Sequence, residues 1–137
     1  MDSRLYDIHR SYDENFKLGP IKLKKLKKPK FEKNKPKYSF LGFPINFPFG
    51  IPAGPLLNSK FIKGAFDFGF SVPVYKTVRT DFFPCHPFPN VLYVKAEKDL
   101  HPQKTPRLIS QGIDPKDTSK ISITNSFGVP SKKPKVW

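Results

Sequence analysis

The stretch FGIPAGPLLNSKFIKGAFDFGFSVPVYKTV, Phe49 to Val78, decides the fold. It opens on a short apolar run that breaks at Ala53-Gly54. Asn58 or Ser59 can then cap a helix, Phe61, Ile62, Ala65 and Phe66 form one apolar stripe, and Gly69 can close the C-terminus. The following SVPVYKTV is β-rich and sets Val72, Val74 and Lys76 on one face, although Pro73 suits a central strand poorly. Strand, helix and strand within about thirty residues make a βαβ unit, which predicts an α/β chain with a parallel sheet covered by helices. Ligand groups in such sheets sit at the C-terminal ends of the strands, here Ala53-Gly54 and Lys76-Thr77.

Upstream, Leu5, Ile8, His9, Tyr12 and Phe16 recur at helical spacing and Gly19-Pro20 supplies a stop, which predicts an amphipathic helix over 4–17. Residues 18–37 read as a linker in which Pro29 and Pro36 oppose helix, so the chain divides into an N-terminal part, 1–37, and a domain, 38–137. From Tyr38 the pattern predicts a small hairpin leading into a buried strand that ends at Ala53-Gly54. Downstream, DFFPCHPFPN is a proline-aromatic loop, VLYVKA a short strand, 97–120 polar and loop-rich, and ISIT a strand again just before Asn125. No internal repeat is present.

With 137 residues the chain suits one modest domain and is too short for a complete multi-layer barrel. Its hydrophobic share of 37% opposes disorder, while its 16 prolines call for short elements and bends. A net charge of +14 points to an anionic partner, with nucleic acid, phosphorylated cofactors and acidic lipid as candidates. Much of that charge crowds into Lys22 to Lys37, opposed there by Glu32 alone, so it reads as a solvated tail. Cys85 is the single cysteine, which excludes an internal disulfide. No apolar run approaches a membrane span and no hydrophobic core follows Met1, so a cytoplasmic protein is expected.

Three stretches carry chemistry. Small residues in FGIPAGP let a flat ring lie directly on the backbone, though the same residues also make an ordinary tight turn. Lys76 either snorkels into solvent or places its ammonium in a pocket, where it would neutralise a carboxylate or a reduced flavin; Thr77 adds a hydroxyl. In SITNSFGVPS, Asn125 carries two donors and an acceptor suited to a pyrimidine edge or a carboxylate, and Gly128 permits a bend that aims backbone N–H groups at an anion. An Asn-to-Gly turn is the plain alternative. Cys85-His86 makes neither a nucleophile nor a metal site, since His9, His86 and His101 lack ligand spacing and neighbours on an extended chain point apart.

In this order, NFPFGIPAGP (46–55), VYKT (74–77) with FPCHPFPN (83–90), and NSFGVP (125–130) resemble the dihydroorotate dehydrogenases, most closely the soluble class 1 branch. The resemblance covers roughly 40–131. It implies the N-terminal portion of a (β/α)8 TIM barrel, about two strands of it, and FMN-dependent oxidation of dihydroorotate to orotate in pyrimidine biosynthesis. It implies further that Ala53, Gly54, Lys76 and Thr77 contact FMN, and that Lys76, Asn125, Phe127, Gly128 and Val129 hold dihydroorotate or orotate. A second electron acceptor and a homodimeric full-length enzyme also follow from it. Ala53 stands where the family commonly has Ser, Phe127 for Met and Ser131 for Asn, and the stretch from Lys76 to Asn125 is longer than in the soluble branch. The family's base, Cys or Ser, lies on a later loop, so the chain is expected to be a truncated N-terminal fragment with that base beyond Trp137; Cys85 comes too early for the part. The alternatives are another FMN barrel, such as the pyrimidine-reducing domain of dihydropyrimidine dehydrogenase, and a small basic nucleic-acid-binding protein using Lys22 to Lys37.

Overall fold

A computed structural model describes residues 5–21, 36–96, 100–101, 103, 107–114 and 122–137. The lysine-rich linker lies largely outside these residues.

The N-terminal helix is shorter than its apolar spacing predicts. Helix α1 spans Tyr12–Leu18 rather than 4–17. Ser11 stops it from extending backwards: its hydroxyl accepts from the Glu14 N–H at 3.3 Å, and the Glu14 carboxylate accepts from the Ser11 N–H at 2.9 Å. This capping box outcompetes the stripe that began at Leu5. Residues before it instead fold back onto buried Asn15, whose Oδ1 accepts from Asp7 N–H at 2.9 Å while its amide donates to the Asp7, Arg10 and Ser11 carbonyls. Ser11→Ala is expected to cost about 1 kcal/mol, read by thermal unfolding.

A hairpin follows, as expected. Strand β1 (Tyr38–Phe40) pairs antiparallel with β2 (Phe43–Ile45), and both turn residues, Leu41 and Gly42, are left-handed at φ 51° and 83°. That is the primed turn whose twist matches a two-residue hairpin. Its Phe40, Leu41 and Phe43 side chains stay exposed.

The βαβ unit is present in miniature. Strand β3 (Gly50–Ile51) runs parallel to β4 (Val72–Pro73), with helix α2 (Ser59–Asp67) between them. Asn58 is the α2 cap, its side chain accepting from Lys60 N–H at 3.0 Å. Gly69, at φ 95°, turns the chain out of the helix. Pro73 is tolerated because the flanking residues donate instead: Ser71 N–H to Phe49 O at 3.1 Å and Val74 N–H to Ile51 O at 2.8 Å. Two expectations need correction. Strand β3 ends at Ile51, so Ala53-Gly54 occupies the bend beyond it. The row Val72, Val74, Lys76 breaks after Pro73, for Val74 is 46% exposed whereas Lys76 is buried and its N–H bonds Leu56 O at 3.2 Å.

The core gathers Tyr12, Leu56, Leu57, Phe61 and Ala65. Of the α2 stripe, Phe61 and Ala65 are buried while Phe66 stays exposed. Helix α1 is fastened to α2 where the Asn58 amide donates to Phe16 O at 2.8 Å and the Lys60 ammonium to Lys17 O at 3.0 Å.

The long stretch after Lys76 forms a three-stranded antiparallel sheet, order β6–β5–β7, from β5 (Val91–Lys95), β6 (Ile109–Ser110) and β7 (Ser122–Asn125). Register sets Val91 opposite Asn125. A short 3-10 turn, Pro134–Val136, ends the described chain. Among the described residues no helix is long and apolar enough to cross a membrane.

Candidate functional site

The three chemistry-bearing stretches meet at one cavity of about 490 Å³. One wall is the bend after β3, with Ala53, Gly54 and Pro55. Lys76 and Thr77 come from the segment after β4, and Asn125, Phe127, Gly128 and Val129 from the loop after β7. Every residue singled out from the sequence therefore lines the same space. Its volume lies within the usual range for small-molecule sites.

Backbone geometry explains how the loop after β7 is shaped. Gly128 and Val129 are both left-handed, at φ 73° and 53°. A Cβ on Gly128 would collide with the His86 imidazole, so glycine serves both the backbone angle and the close approach. Val129 is β-branched, for which this conformation carries strain, a feature that gathers at functional sites. The loop is clamped onto the 83–90 loop. His86 N–H donates to Phe127 O at 3.3 Å, and Phe83 and Ser131 exchange two backbone bonds, at 2.8 and 2.9 Å. Asn90, 3% exposed, completes the clamp: its amide donates to the His86, Pro87 and Ser126 carbonyls, and its own carbonyl accepts from Ser126 N–H at 2.8 Å.

Lys76 dominates the electrostatics. It is 6% exposed, and no hydrogen bond or ion pair reaches its ammonium among the described residues. Burial pushes its pKa below the ordinary lysine value, Arg79 adds to that, and Cys85 opposes it. An anion beside such an ammonium would restore what desolvation removes. The bend at Gly54 faces open space, since nothing lies within 4 Å of where its Cβ would stand. A planar ring fits against such a bare backbone, so the residues present suit a flavin ring beside an anionic substrate.

Cys85 packs against the core and lines a smaller cavity of about 150 Å³ with Ser11, Phe82 and His86. Burial pushes its thiol pKa up, and the nearby Lys76 only partly offsets this. A thiol so placed is a poor nucleophile.

The cavity also has a wall that residue patterning missed. Tyr6, Ile8 and Tyr12 close it from the N-terminal side, and Val91 and Ile123 from the antiparallel sheet. Phe127 stacks edge-on between the two tyrosines, with ring centroids 5.5 Å from Tyr6 and 6.3 Å from Tyr12. The available signal was the Ser11-to-Glu14 capping box, which separates Tyr6 from the helix and frees the segment to fold over the site.

This architecture is a mixed helix-and-strand chain with small sheets, compatible with part of an α/β domain, and Lys76 lies in the wall of its large cavity. No family model and no solved structure matches it. A curated protein named dihydroorotate dehydrogenase, from Dictyostelium discoideum, is 39% identical over 134 residues, which is 93% of this chain and 36% of that protein. The chain is thus homologous to a dihydroorotate dehydrogenase over nearly its whole length, and it spans about a third of the length of that relative.

Proposed function

We propose that this chain forms the substrate-gripping and flavin-contacting part of an FMN-dependent site that oxidises dihydroorotate to orotate in pyrimidine biosynthesis. The observation that carries the reading is the convergence of Ala53-Gly54, Lys76-Thr77 and Asn125 to Val129 on one cavity whose ammonium has no partner among the described residues. Homology to a protein named for this activity supports it.

The roles follow from chemistry. Lys76 would hold the substrate carboxylate by a charge-assisted hydrogen bond. The Asn125 amide would orient the pyrimidine edge, donating to a ring carbonyl and accepting from a ring N–H. Val129 and Phe127 would fix the loop on which that amide sits. Ala53 and Gly54 would leave room for the flavin ring, with Thr77 offering a hydroxyl to it. FMN, when bound, would supply the acceptor for the hydride that leaves C6. Withdrawal of the C5 proton belongs to a base that the family resemblance places on a later loop, and no cavity residue is assigned that part. The parallel β3–α2–β4 unit would be one repeat of a barrel.

An ammonium with no partner among the described residues favours a carboxylate-bearing pyrimidine over a neutral one, which separates this reading from a uracil-reducing site. Calorimetric titration of the full chain at neutral pH is expected to give saturable binding of orotate and none of uracil. Equal binding of the two would sink the reading.

A further inference from the structure

We propose that Asn90 is a positioning residue of the site: from outside the large cavity it fixes the direction of the Asn125 side chain, and so favours a pyrimidine carboxylate over a plain aromatic one. The inference rests on the proposed orotate site and assigns part of its selectivity to a residue that does not line that cavity.

The need for Asn90 begins in the sequence. In FPCHPFPN, positions 84, 87 and 89 are proline, so three residues bring a carbonyl without an N–H and leave the loop short of backbone donors. An Asn side chain supplies two. The buried Asn90 amide donates to His86 O at 2.9 Å and Pro87 O at 3.2 Å within the loop, and to Ser126 O at 3.3 Å across from it. The Asn90 carbonyl in turn accepts from Ser126 N–H at 2.8 Å. Ser126 is therefore gripped at both its N–H and its C=O by one residue.

Asn125 lies immediately before that grip. In the β5–β7 ladder it is paired with Val91, the residue after Asn90. The backbone on both sides of the Asn125 Cα is thus set by Val91 and Asn90, and with it the direction in which the side chain leaves. Lys76 depends on neither residue, since it follows β4 and its N–H bonds Leu56 O. The carboxylate anchor and the amide that reads the ring edge have separate supports, so one can be disturbed without the other. The far end of the loop has its own pin. Buried Ser131 accepts from Arg79 N–H at 3.0 Å through its hydroxyl and exchanges backbone bonds with Phe83. Between the two pins Val129 is kept in its left-handed conformation.

The test compares the full chain with Asn90→Ala, the milder Asn90→Ser and, as a structural control, Ser131→Ala. Orotate and benzoate, which share a carboxylate but not a pyrimidine edge, are titrated by calorimetry. Thermal midpoints are recorded, and the Asn125 side-chain amide is followed by NMR in the empty nitrogen-15-labelled protein. Asn90→Ala is expected to weaken orotate about tenfold, leave benzoate within about twofold and displace the Asn125 side-chain signals, with Asn90→Ser in between. Ser131→Ala is expected to lower the midpoint without changing the ratio of orotate to benzoate affinity, the pattern that a merely structural effect of Asn90 would also give. With wild-type orotate binding intact, equal weakening of both ligands, no weakening of either, or failure of both Asn90 variants to fold overturns this inference and leaves the proposed function standing. A wild-type chain that ignores orotate while its Asn125 signals respond to Asn90→Ala overturns the proposed function and keeps Asn90 as the residue that positions Asn125. Absence of both orotate binding and that response overturns both.

Discussion

Lys76→Met is expected to lower orotate affinity by about 100-fold or more while making the empty chain more stable. The two effects share one cause. The Lys76 side chain is largely buried and its ammonium has no ion-pair partner among the described residues, so the folded chain bears part of its desolvation until an anion arrives. With methionine in place, the ligand carboxylate would itself be the unpaired buried charge, a loss of about 3–5 kcal/mol. The pH dependence fixes the sign. The folded-state pKa of Lys76 lies below its unfolded value of 10.5, so between the two the unfolded chain holds more protons. This group's contribution to stability therefore rises with pH across that window, and its destabilisation is complete below it. Cys85, Tyr6 and Tyr12 are shifted upward and act in the opposite sense above about pH 9. The Lys76 contribution is accordingly read as the gap between wild type and Lys76→Met in parallel melts. That gap, with the variant more stable near neutrality, should narrow as pH rises.

Gly50→Ala is expected to destabilise the chain by about 3 kcal/mol, enough to unfold much of a marginal domain. Its Cβ would fall on the Val72 carbonyl oxygen, a backbone atom that cannot swing aside, so the β3–β4 pair must part. Gly54→Ala, four residues on, is the matching control. No atom lies within 4 Å of its Cβ position, so stability should change by no more than about 0.5 kcal/mol, while flat-ligand binding weakens. Chemical denaturation of both proteins separates a glycine that the fold requires from one that the site requires.

Local rules made α2 readable. Asn58, the Phe61 and Ala65 spacing, and Gly69 act within a few residues of one another, and each does what its position predicts. The parallel pairing across α2 followed from the same logic. Helix α1 shows where such rules compete: apolar spacing from Leu5 pointed one way and the capping box at Ser11 the other, and two reciprocal hydrogen bonds prevailed. Long-range features were hidden. Nothing near Lys76 announces burial, because Leu56 and the core beneath it come from a different segment. The β6–β5–β7 sheet depends on pairings across stretches that read only as polar loop. At the site, Ala53, Gly54, Lys76, Thr77 and Asn125 to Val129 were legible as motifs, whereas Ile8 and Tyr12 were legible only as members of a helical stripe and Tyr6 carried no signal.

Mapping orotate-induced amide shifts on the nitrogen-15-labelled full chain puts the cavity to its most direct test. Saturable shifts are expected at Ala53, Gly54, Thr77, Asn125 and Gly128, with the exposed β1–β2 hairpin unmoved. Shifts confined to other regions, or none at saturating orotate, would contradict the assignment of this cavity to the pyrimidine.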